Sequence, residues 1–219
     1  MKLTAFRYGT TEITSRMAFQ EGNSDEKIPI SLMFFLIETG NRKILVDAGC
    51  DTMPGFTLYE FQKPVSLLEE YGISREDITD VIITHAHHDH IDCVKYYNNA
   101  NIYLHEYEIE KANEYLSCSE KLTTFDGDFE IDENICIVHV GGHSKGSCIV
   151  IIKADEHKYV LCGDECYTKE NLSQGKPTGS SCCLEKSIAF VEKYRNSVYK
   201  TILFHDAELV TEIGFKRLI

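Results

Sequence analysis

A chain of 219 residues with 43% hydrophobic content is long enough to bury a sizeable core, and one domain over residues 1–219 is the expectation. Acidic residues outnumber basic ones by 35 to 22, and the net charge of −13 argues against a nucleic-acid backbone or an anionic membrane surface as partner. Met1 to Tyr8 hold no apolar signal core, and the longest apolar run, Leu32 to Ile37, is far too short to span a bilayer, so a cytoplasmic protein is expected.

In chain order, Lys2 to Tyr8 reads as a strand, and the polar stretch from Thr10 to Pro29, with no hydrophobic period, as a long loop. Ser31 to Glu38 and Lys43 to Asp47 read as two strands joined at Thr39-Gly40-Asn41, a hairpin signal. Pro64 opens a helix through Glu70 that Gly72 closes, and Ser74 to Asp77 is a capped turn leading into the apolar strand Asp80 to Ile83. Ile102 to His105 is a further strand and Glu106 to Leu116 a helix. Strands follow at Asn134 to Val140, Cys148 to Lys153 and Tyr159 to Leu161, then a helix from Leu184 to Arg195 and a last strand from Thr201 to Phe204. Short strands mixed with helices in both halves predict a layered domain of α/β or α+β class. The nine cysteines, an odd number without a C-x-x-C pair, read as reduced thiols, and Cys93, Cys162 and Cys166 as small packing residues.

The chemistry concentrates in Thr84-His85-Ala86-His87-His88-Asp89-His90, directly after an apolar strand. Imidazole and carboxylate are the donors that a borderline divalent ion such as zinc prefers. The same local pattern, a polar donor just past an apolar strand, recurs at Asp47, His143, Asp164 and His205. Taken singly, each of these four has a plain reading as a turn or surface residue. His139, His105 and His157 read as core, sheet-edge or exposed histidines, and His88 as a neighbour of the site that is free to touch substrate.

Taken in order, His85-x-His87-x-Asp89-His90, then His143, Asp164 and His205, resemble the metallo-β-lactamase superfamily. The resemblance implies an α+β fold, a four-layer αβ/βα sandwich with the site along one edge of its two sheets. It also implies two divalent metal ions, zinc first, with iron, manganese or cobalt acceptable to the same donors. His85, His87 and His143 would hold one ion and Asp89, His90 and His205 the other, with Asp164 bridging and Asp47 orienting a ligand histidine. The implied chemistry is hydrolysis of an ester-type bond by a bridging hydroxide.

Gly163-Asp164-Glu165-Cys166-Tyr167-Thr168-Lys169-Glu170-Asn171 and Phe204-His205-Asp206 are similar to the corresponding segments of N-acyl homoserine lactonases. This implies a small lactone or ester as substrate, with Tyr167 stabilising the oxyanion and Asp89 relaying a proton to the leaving oxygen. Glyoxalase II-like thioester hydrolysis and the mononuclear iron chemistry of sulfur dioxygenases are the rival readings. His88, Ile91-Asp92-Cys93 and the Gly141-to-Gly146 loop depart from the usual lactonase residues, as does a short stretch between Cys50 and Pro64. The departures bear on acyl-chain preference. Oligomeric state is not readable from the chain.

Overall fold

The central strands form where the chain is apolar on every side. Val81, Ile82 and Ile83 have no exposed surface, as expected of a strand covered on both faces. The computed structural model describes residues 1–116, 121–196 and 198–219. Its chain divides into two compact units, one built from residues 1–11, 31–125 and 210–219 and the other from residues 12–30 and 126–209.

The first unit carries a seven-stranded sheet in the order β12-β1-β2-β3-β4-β5-β6. Its strands are β1 (Lys2–Thr14), β2 (Lys27–Thr39), β3 (Arg42–Val46), β4 (Asp80–Ile82), β5 (Asn101–His105), β6 (Leu122–Phe125) and β12 (Gly214–Arg217). From β3 to β6 all neighbours are parallel, with Val46 opposite Ile82 and Ile82 opposite Tyr103. The carboxyl ends of β3, β4 and β5 therefore share one edge, and Asp47, the histidine run and Glu108 all follow those ends. In parallel sheets, this is the edge where ligands bind. Phe6 stacks on Phe34 with centroids 4.8 Å apart, and Tyr71 meets Phe6 edge-on at 5.3 Å.

The second unit carries a five-stranded sheet in the order β11-β10-β9-β8-β7. These are β7 (Phe129–Asp132), β8 (Ile135–His139), β9 (Cys148–Ala154), β10 (His157–Leu161) and β11 (Lys200–Ile202). β9 is antiparallel to both β8 and β10, and β11 is parallel to β10, so β8, β10 and β11 run the same way. Their carboxyl ends deliver His143, Asp164 and His205 to one edge.

Six α-helical segments accompany the sheets among the described residues: α1 (Ser15–Ala18), α2 (Pro64–Glu70), α3 (His88–Ile91), α4 (Ile109–Ala112), α5 (Lys169–Gln174) and α6 (Leu184–Arg195). In α6, Ser187, Phe190, Val191 and Tyr194 recur at helical spacing on the buried face. Phe190, Val191 and Tyr194 pack with Ile149, Val160, Cys162, Cys166 and Leu203.

Several expectations need correction. Thr10 to Pro29 is not one loop: β1 runs on to Thr14, α1 follows, and β2 already begins at Lys27. Thr11 and Ile13 are buried while Glu12 is exposed, an alternation carried by β-branched residues. Glu106 to Leu116 holds only a 3-10 turn at Glu106–Glu108 and the single turn α4. The last strand of the second sheet is Lys200–Ile202, short of the expected Phe204. No helix among the described residues is long and apolar enough to cross a membrane. Eight cysteines are free, and Cys118 lies outside the described residues.

Candidate metal centre

In the first unit the site is built around Asp47, whose backbone turns into the left-handed region with φ 60°. That conformation is uncommon for a residue other than glycine, though aspartate is among those that tolerate it. It turns the fully buried carboxylate toward the loop after β4. One oxygen accepts from Thr84 N–H at 2.7 Å, and the other from the Thr84 hydroxyl at 2.9 Å and His90 Nδ1 at 2.6 Å. Burial pushes the Asp47 carboxyl up from its ordinary value, while His90 and the Thr84 donors pull it back. Two residues on, Gly49 lies at φ 75°, and a Cβ there would stand 2.7 Å from Pro64 Cγ, so only glycine fits.

These bonds decide which imidazole nitrogens remain for a ligand. His90 donates Nδ1–H to Asp47, which leaves the lone pair on Nε2. The Thr84 hydroxyl spends its hydrogen on Asp47 and accepts from His85 Nδ1 at 3.1 Å, which leaves the His85 lone pair on Nε2. His85 Nε2 then faces His87 Nδ1 at 2.9 Å, and His90 Nε2 lies 3.6 Å from an Asp89 oxygen. Neutral nitrogens and carboxylate oxygens aimed this way are the donor set of a divalent cation. The donors fit a metal.

In the second unit, Asp164 lies between two histidines. Its Oδ1 is 2.9 Å from His205 Nε2 and its Oδ2 is 3.4 Å from His143 Nε2. The Asp164 carboxylate thus places one oxygen beside each of two imidazoles, donors of the types a divalent cation takes. The buried Tyr167 ring stands edge-on to His205 at 5.0 Å and to His143 at 6.0 Å. Its position is fixed by α5, which begins at a capping box. There Asn171 Oδ1 accepts from both the backbone N–H and the hydroxyl of Thr168, each at 3.0 Å.

Two buried glutamates escaped the sequence reading. Glu108 accepts the Ala86 N–H at 2.9 Å, between the two histidines of His85-Ala86-His87. Glu165 accepts the Gly142 and His143 N–H groups at 3.1 and 3.2 Å and also contacts the Ser147 hydroxyl. Burial pushes the Glu165 carboxyl up to about 7, against the lowering effect of those donors. A glutamate inside the apolar frame Cys162-Gly163 to Cys166-Tyr167 was the only signal available.

The remaining candidates sit as follows. His88 is partly exposed, with Nδ1 3.1 Å from the Tyr115 hydroxyl. His139 donates Nε2–H to the Lys145 carbonyl at 2.8 Å, and His105 is buried, its Nδ1 accepting from Tyr107 N–H at 3.2 Å. Asp51, Asp92 and Cys93 bring donor atoms within 4.8 Å of one another. That group already has its cation, because Lys95 Nζ stands 2.8 Å from Asp92 and 3.5 Å from Asp51. Cys162 and Cys166 are core residues whose thiols burial pushes upward, away from reactivity.

A sequence profile of the metallo-beta-lactamase superfamily matches residues 33–204. The chain belongs to the metallo-beta-lactamase superfamily. It is a metal-dependent hydrolase of that superfamily, homologous to the N-acyl homoserine lactonases. It is 22% identical to the N-acyl homoserine lactonase AiiB of Agrobacterium fabrum, over 84% of this chain and 83% of the relative. To an N-acyl homoserine lactonase of Bacillus cereus it is 26% identical, over 83% of each chain. Among solved structures, an N-acyl homoserine lactone hydrolase with the product N-hexanoyl-L-homoserine at its catalytic metal centre shares the fold. The TM-score is 0.81 at 21% identity, over 95% of this chain and 94% of the other. The dizinc quorum-quenching lactonase AidC superposes with a TM-score of 0.75 at 18% identity, covering 99% of this chain and 93% of that one. The α+β metallo-β-lactamase fold expected from the motif is the fold observed.

Proposed function

We propose that this superfamily member opens the ring of N-acyl homoserine lactones or closely related lactones with two divalent metal ions, zinc first. In this reading His85, His87 and His143 would hold one ion and Asp89, His90 and His205 the other. Asp164 would offer a carboxylate oxygen to each, and residues 1–219 would work as one hydrolase domain. The observation that carries the reading is the Asp164 carboxylate, with its two oxygens turned to His143 and His205. The lactonase relatives support the choice of substrate.

Two such ions, when bound, supply a water-derived nucleophile at neutral pH and polarise a carbonyl oxygen. The chain's own groups position and move the protons. Tyr167 donates its hydroxyl hydrogen bond to the lactone carbonyl oxygen as negative charge gathers there. Asp89 takes the proton from the attacking water and passes it to the ring oxygen that leaves. Water is added across the ring C–O bond, and the product is the open hydroxy acid.

The test is metal analysis followed by proton release on short- and long-chain N-acyl homoserine lactones. The expected result is two metals per chain and turnover that Asp164→Ala abolishes. Two bound metals without turnover would overturn the lactone assignment and turn the search to thioesters.

A further inference from the structure

We infer that Glu165 is a positioning residue for His143, its buried carboxylate bracing the Gly141–Ser147 loop so that the imidazole is presented to a divalent ion. The inference rests on the metal site proposed above and extends it to a residue outside the ligand set. Glu165 has no exposed surface. Its Oε1 collects the N–H groups of Gly142 and His143 at 3.1 and 3.2 Å, together with a contact to the Ser147 hydroxyl. From the other side, Cys182 N–H reaches the carbonyls of Gly142 and His143 at 2.9 and 3.1 Å, and Cys183 N–H reaches Gly142 at 2.9 Å.

The Gly142–His143 peptide is thus gripped at its donors by Glu165 and at its acceptors by the start of α6. The loop mouth closes on itself, with Val140 and Gly141 both donating to the Ser147 carbonyl at 3.0 and 2.9 Å. The approach requires glycine at 142, since a Cβ there would run into Glu165 Oε2 and stand 2.7 Å from Ser187 Oγ. Glu165 also shares its short turn, Gly163–Glu165, with Asp164. One turn therefore supplies a carboxylate to His143 Nε2 and a second carboxylate to the backbone that carries the same histidine. Partners that hold metal ligands in place typically matter by about 10–100-fold in affinity.

The experiment compares zinc-loaded wild type with Glu165→Ala, Glu165→Asp and Glu165→Gln. It measures zinc release to a competing chelator and amide hydrogen exchange across residues 141–147. Glu165→Gln keeps an acceptor at Oε1 and is expected to stay within about threefold of wild type in both readouts. Glu165→Ala is expected to release zinc at least about tenfold faster and to lose protection at Gly142 and His143. Glu165→Asp withdraws the acceptor without emptying the pocket, so it gives the same result if the alanine variant does not fold. Wild-type release and protection in the aspartate variant would overturn the proposal. Absence of zinc from the wild type would overturn the metal site instead, and the exchange data would still decide whether Glu165 braces the loop.

Discussion

Asp47 and His90 meet at 2.6 Å, carboxylate oxygen to Nδ1, with neither side chain open to solvent. The same carboxylate holds Thr84 and through it His85, so one aspartate aligns two imidazoles. Asp47→Asn keeps a residue that tolerates φ 60° but removes one acceptor. It is expected to fold and to bind zinc about 10–100-fold more weakly, read by titration against a competing chelator. Asp47→Ala also strands the Thr84 N–H, at a cost of about 1–3 kcal/mol in a urea melt.

Tyr167→Phe separates binding from chemistry. The phenol ring packs edge-on against His205, and phenylalanine preserves that contact. Metal content is expected to be unchanged while kcat on N-acyl homoserine lactones falls by about 10²–10³, the usual cost of one oxyanion donor. An unchanged kcat would remove Tyr167 from the mechanism.

Asp80 sets a pH dependence of stability away from the metal centre. Burial works to raise its pKa, but the hydrogen bonds from Arg42, Thr79 and Asn101 outweigh it and hold the carboxyl below the usual aspartate value. Arg42 grips both oxygens, at 3.0 and 2.9 Å. A depressed folded-state pKa means that the stabilisation is present above the unfolded value of about 4 and is lost as pH falls through the folded one. Asp80→Asn is expected to cost about 1.5–3 kcal/mol at pH 7, with the gap closing in acid, as measured by urea denaturation at both pH values.

Asn171→Ala would break four bonds at once. The side chain donates to the carbonyls of Ala18 and Lys176 at 2.8 and 3.2 Å, and it accepts from Thr168 twice. The residue is fully buried. A loss of about 3 kcal/mol or more is expected in thermal or urea unfolding, against about 1–3 kcal/mol for one stranded group.

The superfamily was legible because its donors cluster in sequence, three histidines and an aspartate between His85 and His90, and because each remaining donor ends an apolar strand. Parallel register then carries those strand ends to common edges. The edge strands β6, β7 and β12 were not legible. Their residues are mostly half-buried or exposed, with Phe215 and Leu122 among the exposed ones, so no continuous buried face imprints an alternation on them. The helix α5 was legible in principle, from Thr168 and Asn171 at its start and Gly175 at its close, but it is too short to show a period. Glu108 and Glu165 were hidden for a different reason. A glutamate that braces a backbone is spelled like one that faces water, and only the fold distinguishes them.

The bonds from Asn171, Thr178 and Ser180 to the carbonyls of Ala18 and Met17 carry a consequence for synthesis. A nascent chain leaves the ribosome amino end first, at about 5–20 residues per second. The segment 12–30 therefore emerges early and keeps only its own internal bonds, such as Ser15 N–H to the Glu26 carbonyl, until the stretch around residue 180 follows it out. β1 can pair with β2 soon after synthesis, but its other edge stays open until Gly214–Arg217 arrives to cover it. Neither unit can complete these contacts until its later segments have emerged.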